Sequence, residues 1–246
     1  MDRLLDLTRQ AEARHFWFRG FRGFVAPVMA EVANGRTGLR LLDCGCGTGG
    51  NLALLAPFGR AVGFDLSDGG LSTARADGRV VAKADVTRSP FLAESVDVAT
   101  SFDVLQCVDD DASAVREMAR VLRPGGRVVL TLAALDVLSG DHGEVWGEVR
   151  RYTPARARRL VEQAGLEVER VQFMFASLLP LMLAVRAVQR LSRPFRRVRD
   201  DSDIRVPSTP INQTLSYLVR AEVAVARYLP PPIGSSLLVV AVKPRS

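Results

Sequence analysis

The stretch Leu39–Asn51, LRLLDCGCGTGGN, constrains this chain more than any other part of it. Leu39, Leu41 and Leu42 form a short apolar run suited to a buried strand, Asp43 ends it, and glycines follow at 45, 47, 49 and 50. A strand that runs into a glycine turn and then a helix start presents bare backbone to a ligand. Gly45, Gly47 and Gly50 satisfy G-x-G-x-x-G, so a dinucleotide, and with it a nucleotide-dependent oxidoreductase, is one reading. Asp43 argues against it. A pyrophosphate at this loop would meet a carboxylate, whereas a cationic ligand would be favoured.

Four further segments have the composition of buried parallel strands: Ala61–Asp65, Val80–Ala84, Val96–Phe102 and Arg127–Leu132. Helical stretches near 50–56, 69–76 and 111–122 separate them, the last closed by Arg123-Pro124-Gly125-Gly126. Alternation of this kind makes β-α-β units in a doubly wound α/β sheet, whose ligands bind at the carboxyl ends of the strands. The strand tips there are Asp43, Asp65, Asp85 and Ser101 or Asp103. Asp65 lies 20 residues beyond Gly45, the spacing at which a carboxylate meets ribose hydroxyls. Asp85 can accept from an exocyclic amine while Val86 packs on an aromatic base. Three acids on successive tips beside a glycine loop favour a nucleoside without phosphates.

With the glycine loop, GFDLS at 63–67, ADVTRSPF at 84–91, SVDVATSFDVLQCV at 95–108 and VLRPGGRVVLTL at 121–132, the chain resembles the class I S-adenosylmethionine-dependent methyltransferases over roughly residues 39–175. The resemblance implies a Rossmann-like sheet of seven strands with the last antiparallel, and S-adenosyl-L-methionine as cofactor with S-adenosyl-L-homocysteine as product. It implies that Asp43, Gly45, Cys46, Gly47 and Gly49 surround the methionine moiety, that Asp65 and Leu66 serve the ribose and Asp85 and Val86 the adenine, and that Ser101 lies beside the methionyl end. The HFWFR cluster at 15–19 is similar to that of bacterial members in which this segment closes over the cofactor, so Arg19 is expected at its carboxylate. One departure stands out. Many relatives carry a histidine after the fourth strand, where this chain has Gln106-Cys107. His142 and Glu144, in a loop after the fifth strand, and His15 are then the candidates for a general base, if the acceptor must lose a proton.

Residues 2–34 read as helix in two pieces with the aromatic cluster between them, and Phe21, Phe24, Val25, Val28 and Met29 are spaced for an apolar face. Thr153-Pro154 gives an N-cap and a first-turn proline for a helix running to Gly165. Strand-like Glu167–Phe175 follows, with Ser236–Val242 as the last strand. Some 60 residues connect the two, too many for a plain loop. The expected organisation is one methyltransferase domain over 1–246: a helical cap at 1–36, a cofactor-binding core at 37–175, a helical insertion at 176–235 and the final strand at 236–246.

That insertion holds Leu178–Leu191, LLPLMLAVRAVQRL, and six arginines between 186 and 199. It reads either as an apolar helix packed on the sheet or in a dimer, or as an interfacial helix at 178–199 whose arginine stems snorkel toward anionic lipid. Asp200, Asp201 and Asp203 read as a solvated turn, and Ile211–Leu229 as a second amphipathic helix. The formal charge of +6 resides in arginine, since Lys83 and Lys243 are the only lysines. Nucleic acid is a weak reading of that charge, because no stacking platform accompanies it. Three cysteines without C-x-x-C spacing argue against structural disulfides or zinc. No apolar run reaches the roughly 18 residues of a spanning helix, and the start of the chain lacks a signal-like apolar core. The expectation is a cytoplasmic enzyme, with the inner membrane face as a second location, acting on a small, hydrophobic or lipid-like acceptor at an oxygen, nitrogen or carbon nucleophile. A membrane-associated, non-catalytic protein on the same fold is the rival. Oligomeric state is open.

Overall fold

Seven runs become strands: Leu39–Cys44 (β1), Gly59–Asp65 (β2), Val81–Lys83 (β3), Val96–Phe102 (β4), Leu122–Ala133 (β5), Glu167–Met174 (β6) and Ser236–Val242 (β7). In the computed structural model, which describes residues 8–193 and 206–245, they form one sheet of order β3-β2-β1-β4-β5-β7-β6. β1 to β5 pair in parallel, and β7 runs antiparallel to both β5 and β6. This is the Rossmann-like sheet with an antiparallel last strand that the resemblance implies. The chain begins at the centre with β1, builds out to β3 and crosses back to β4. The crevice at that reversal, over the carboxyl ends of β1 and β4, is where such sheets receive ligands.

Alternating side chains send the strands' apolar surface to both faces. Leu42, Ala99 and Val128 pack toward one face with Val115 and Met118 of helix α4 (Asp111–Val121) and Leu160 of helix α6 (Pro154–Gln163). Leu41, Val98 and Val129 pack toward the other with Leu52 and Leu55 of α2 (Gly50–Leu55) and the apolar stripe of α1 (Phe16–Ala33). α3 (Asp68–Ala76), α5 (Asp141–Val145), α7 (Leu179–Ser192) and α8 (Thr209–Ala226) complete the set. The helix starts follow side-chain chemistry: Ser67 accepts from the Gly70 amide, Asp110 from Ser113 and Thr153 from Arg156, each satisfying an amide that the first helical turn leaves open.

α1 and α8 pack closely because glycine faces them. A Cβ on Gly20 would run into Val219, and one on Gly23 would lie 3.3 Å from Val223. Asn212 of α8 accepts from the Phe16 amide at 2.9 Å and donates to the Arg14 carbonyl at 2.8 Å. Glu222 takes the Ala176 and Ser177 amides at 2.8 and 2.9 Å, holding the entry to α7. The insertion is thus fastened to the N-terminal cap.

Two expectations are corrected here. The aromatic cluster is not a break between helices: His15 caps α1 by accepting the Trp17 amide, so Phe16–Arg19 form its first turn, after a helical segment at 8–12. The Arg-Pro-Gly-Gly segment does not belong to the end of α4, which stops at Val121. It bulges within β5, where the pairing with β4 jumps from Val96↔Leu122 to Val98↔Arg127. Arg196, Arg197, Arg199, Asp200, Asp201 and Asp203 lie outside the described residues.

Candidate active site

The glycine loop is built from left-handed backbone, with φ of +84°, +51° and +79° at Gly45, Gly47 and Gly49. Only glycine adopts such angles without strain. The Gly45 and Cys46 amides donate to the Phe64 carbonyl at 2.8 and 3.0 Å, which docks the loop on β2. Gly45 also abuts Val104 so closely that any side chain there would collide with it. The loop therefore touches both the β2 and the β4 tips.

Asp43 lies beneath this loop with 1% of its surface exposed. Its Oδ1 accepts from Thr100 Oγ1 at 2.7 Å, and its Oδ2 has no hydrogen-bond partner among the described residues. Burial pushes the carboxyl up to about 7, the Thr100 hydrogen bond opposes that rise, and the nearby Asp65 charge adds to it. An anion over this loop would deepen the electrostatic penalty; a cation or an N–H donor would relieve it and supply the missing partner.

Asp65 ties the loop to the β2 tip. Its Oδ2 accepts the Gly47 amide and its Oδ1 the Ser67 amide, both at 2.8 Å. Leu66 beside it is exposed, an apolar side chain next to a carboxylate. The Ala84 amide donates to the Asp65 carbonyl at 3.1 Å, which sets the Asp85 tip alongside. There Asp85 Oδ1 holds the Thr87 amide and hydroxyl at 2.8 and 2.7 Å, and Val86 is buried. Ser101 is fully buried and donates to the Cys44 carbonyl at 3.0 Å; its hydroxyl braces β1 against β4. Cys46 is buried against Gly63, and its thiol is pushed up by burial and by Asp43.

Beyond β4 the crevice continues under a roof. Asp103 stands at the β4 tip with φ of +57°, and Leu135 and Phe175, past the ends of β5 and β6, have φ of +63° and +60°. Left-handed backbone at non-glycine residues costs on the order of 1–3 kcal/mol each and clusters at functional sites. Asp103 is exposed to solvent at this tip, with protein packed around its carboxyl. That surrounding mass pushes its carboxyl up to about 6, Thr131 and Gln106 pull it back, and Glu148 and Arg151 oppose one another nearby. Sequence reasoning named Asp103 only as a strand tip; nothing in the residue string signals its backbone angle.

The roof joins three segments. Ala11 and Phe18 from the N-terminal cap pack with Val145 and Trp146 at the end of α5, Glu12 lies against Gly50 at the start of α2, and α7 holds the loop's far side. Arg186 donates to the Leu138 carbonyl at 3.1 Å, Arg190 to Val137 at 2.6 Å, and Arg193 pairs with Glu144 at 2.7 Å. Arg186 is buried, while Arg190 and Arg193 stay exposed as they reach the loop. His142 sits half-buried on this roof near Trp146. His15 is buried, with Nδ1 engaged in capping α1. Arg19 is half-buried in the first turn of α1, and its guanidinium makes no ion pair among the described residues.

The residues that would hold a nucleoside with a cationic amino-acid arm are therefore contiguous: the loop, Asp43, Asp65 and Asp85. The orphaned oxygen of Asp43 and the cradle that any Cβ would fill fit S-adenosylmethionine and disfavour a pyrophosphate. Among known proteins, a methyltransferase-domain family model matches residues 42–130. A probable S-adenosylmethionine-dependent methyltransferase of Mycolicibacterium smegmatis is 31% identical over 160 residues, 63% of this chain and 61% of that protein. Demethylmenaquinone methyltransferase of a Mycobacterium species is 42% identical over 94 residues, 38% of this chain and 41% of that one. The chain thus spans about half the length of the curated relatives it matches. The fold is also that of a Haloferax volcanii methyltransferase solved with its Trm112 activator, with a TM-score of 0.64 at 24% identity over 100% of this chain and 96% of that one. Ordered motifs, strand order and glycine cradle agree with these relatives: the chain contains a methyltransferase domain and has the fold of the class I S-adenosylmethionine-dependent methyltransferases.

Proposed function

We propose that the chain transfers the methyl group of S-adenosylmethionine to an oxygen, nitrogen or carbon nucleophile of a small, hydrophobic or lipid-like acceptor. The observation that carries the donor half of this reading is the buried Asp43 oxygen, without a partner among the described residues, inside a cradle of left-handed glycines. When bound, the cofactor supplies an activated methyl on a sulfonium. The chain's own residues then have three tasks: Asp43 and the loop amides orient the amino-acid arm, Asp65 and Asp85 fix ribose and base, and the roof excludes water while the acceptor is aligned.

For an acceptor that carries a proton, Asp103 is our first choice as the group that takes it, with His142 as the alternative. Glu144, which pairs with Arg193, and His15, whose Nδ1 caps α1, rank behind them in this reading. The acceptor class draws support from the demethylmenaquinone methyltransferase relatives and from the apolar surface of the insertion helices. Calorimetry of the folded chain with S-adenosylhomocysteine tests the donor assignment, and absence of a binding heat would sink it. For the acceptor, a methyl-transfer assay with a quinol-type acceptor and with a short hydrophilic amine should favour the quinol; preference for the amine would overturn the hydrophobic class.

A further inference from the structure

Past its first turn, where Leu179 and Met182 pack inward, α7 is turned inside out. Arg186, Arg190 and Arg193, spaced to share one helix face, grip the 137–144 loop, while Leu181, Val185 and Val188 share the opposite face and lie in solvent with Leu191. Val188 is 64% and Leu191 78% exposed. A helix finished by solvent alone would show the reverse pattern.

α8 repeats the outward apolar character. Leu218, Val225 and Leu229 are exposed on one side, and they border an open groove of about 340 Å³ that Ser177 and Pro231 close. Next to this stripe stand two exposed tyrosines, each with an arginine over its ring: Arg220 on Tyr217 at 5.9 Å and Arg227 on Tyr228 at 4.7 Å. The two helices contain one acid between them, Glu222, and its carboxylate is held by the Ala176 and Ser177 amides. The outward face of α7 is apolar, and that of α8 is apolar, tyrosine-edged and positive.

We infer that the outward faces of α7 and α8 seat the protein on an anionic lipid bilayer. Leucine and valine enter the acyl boundary, the tyrosines lie at headgroup depth, and Arg220 and Arg227 meet lipid phosphate. Charge complementarity selects this occupant over a second copy of the chain. A two-fold contact through this face would bring arginines together with no free carboxylate from either helix to answer them. No described helix is long and apolar enough to cross a membrane, so the seat is a surface one. The inference builds on the lipid-like acceptor proposed above, but its test does not depend on activity.

The full chain is sedimented with vesicles of phosphatidylcholine alone and of phosphatidylcholine mixed with phosphatidylglycerol. Binding should require the anionic lipid and weaken by about tenfold on going from low to high salt. Val188→Asp with Val225→Asp, both on exposed positions, should weaken it by at least about tenfold, with the heat of S-adenosylhomocysteine binding unchanged. Arg220→Glu with Arg227→Glu should abolish the lipid preference. Equal binding to both vesicle types, no binding to either, or wild-type binding by the valine variant overturns the inference. So does a dimer in gel filtration that the valine variant converts to monomer. Loss of cofactor binding with intact vesicle binding would instead strike the methyltransfer reading alone.

Discussion

Asp97 and Asp43 lie on neighbouring parallel strands, 4% and 1% exposed, and their surroundings differ in kind. At the amino edge of the sheet, Asp97 accepts the Arg40 amide at 2.8 Å and pairs with the Arg123 guanidinium and, more loosely, with Arg40 Nε at 3.9 Å. At the carboxyl edge, Asp43 has one hydroxyl donor and one oxygen with no donor among the described residues. A buried carboxylate without compensation is expensive, so the two edges teach a division of labour. One acid holds strands and loops together, and the other is kept uncompensated for a ligand.

The largest effect that could break this comparison is the loss of donor affinity in Asp43→Asn. The amide keeps a partner for Thr100 but offers no charge, and removal of charge-assisted hydrogen bonds of about 2–3 kcal/mol should weaken S-adenosylhomocysteine binding on the order of 100-fold. Thermal melting of the unliganded protein should not fall. Asp97→Asn should do the converse, lowering stability by about 2 kcal/mol in denaturant melts because Arg123 loses its counter-charge, with donor affinity intact. If Asp43→Asn unfolded the protein and Asp97→Asn lost the donor, the assignment of the edges would be reversed.

How much of this was legible in the residue string depends on where the deciding contacts lie. β4 and β7 match their expected bounds; in β7 the burial is written in consecutive apolar residues, and in β4 in small and apolar residues around the single charge of Asp97. The glycine loop was legible for a related reason: positive φ demands glycine, so the conformation leaves its mark in composition. β5 began earlier than expected, since Leu122 is strand through its pairing with Val96 and Gly125 through its hydrogen bond to Lys243. The aromatic cluster became the first turn of α1 with its Phe16 amide donating to Asn212, 196 residues away. α7 shows the harder limit. Periodicity reveals that the helix has an arginine face and an apolar face, but the carbonyls of Val137 and Leu138 decide which one turns inward. Asp103 was visible as a strand tip, and its left-handed backbone was not.

A smaller effect sharpens the contrast through pH. The folded-state carboxyl of Asp43 is raised from 3.8 to about 7, so between those values the folded chain holds a proton that the unfolded chain has released. Its contribution to stability is complete below about pH 4 and is lost as pH rises through about 7. A ligand that favours the ionised form has the opposite dependence. Donor affinity should rise by up to about tenfold per pH unit toward 7 and level off above it, and calorimetry across that range should show it in wild type but not in Asp43→Asn. A flat wild-type profile would mean that Asp43 does not meet the ligand.

Thr100→Val makes the smallest and most discriminating change. The hydroxyl donates to Asp43 Oδ1 at 2.7 Å and is fully buried, and valine fills nearly the same volume with no donor. Its loss removes the one side-chain hydrogen bond that draws the Asp43 carboxyl downward. The midpoint of the affinity profile should then move up by about half a pH unit, equivalent to about 0.7 kcal/mol. At pH 8 and above, where the carboxylate is ionised in both proteins, their affinities should converge. A midpoint that stayed in place, with affinity reduced equally at every pH, would show that Thr100 shapes the loop rather than the charge, and the carboxyl edge would then owe its readiness to burial alone.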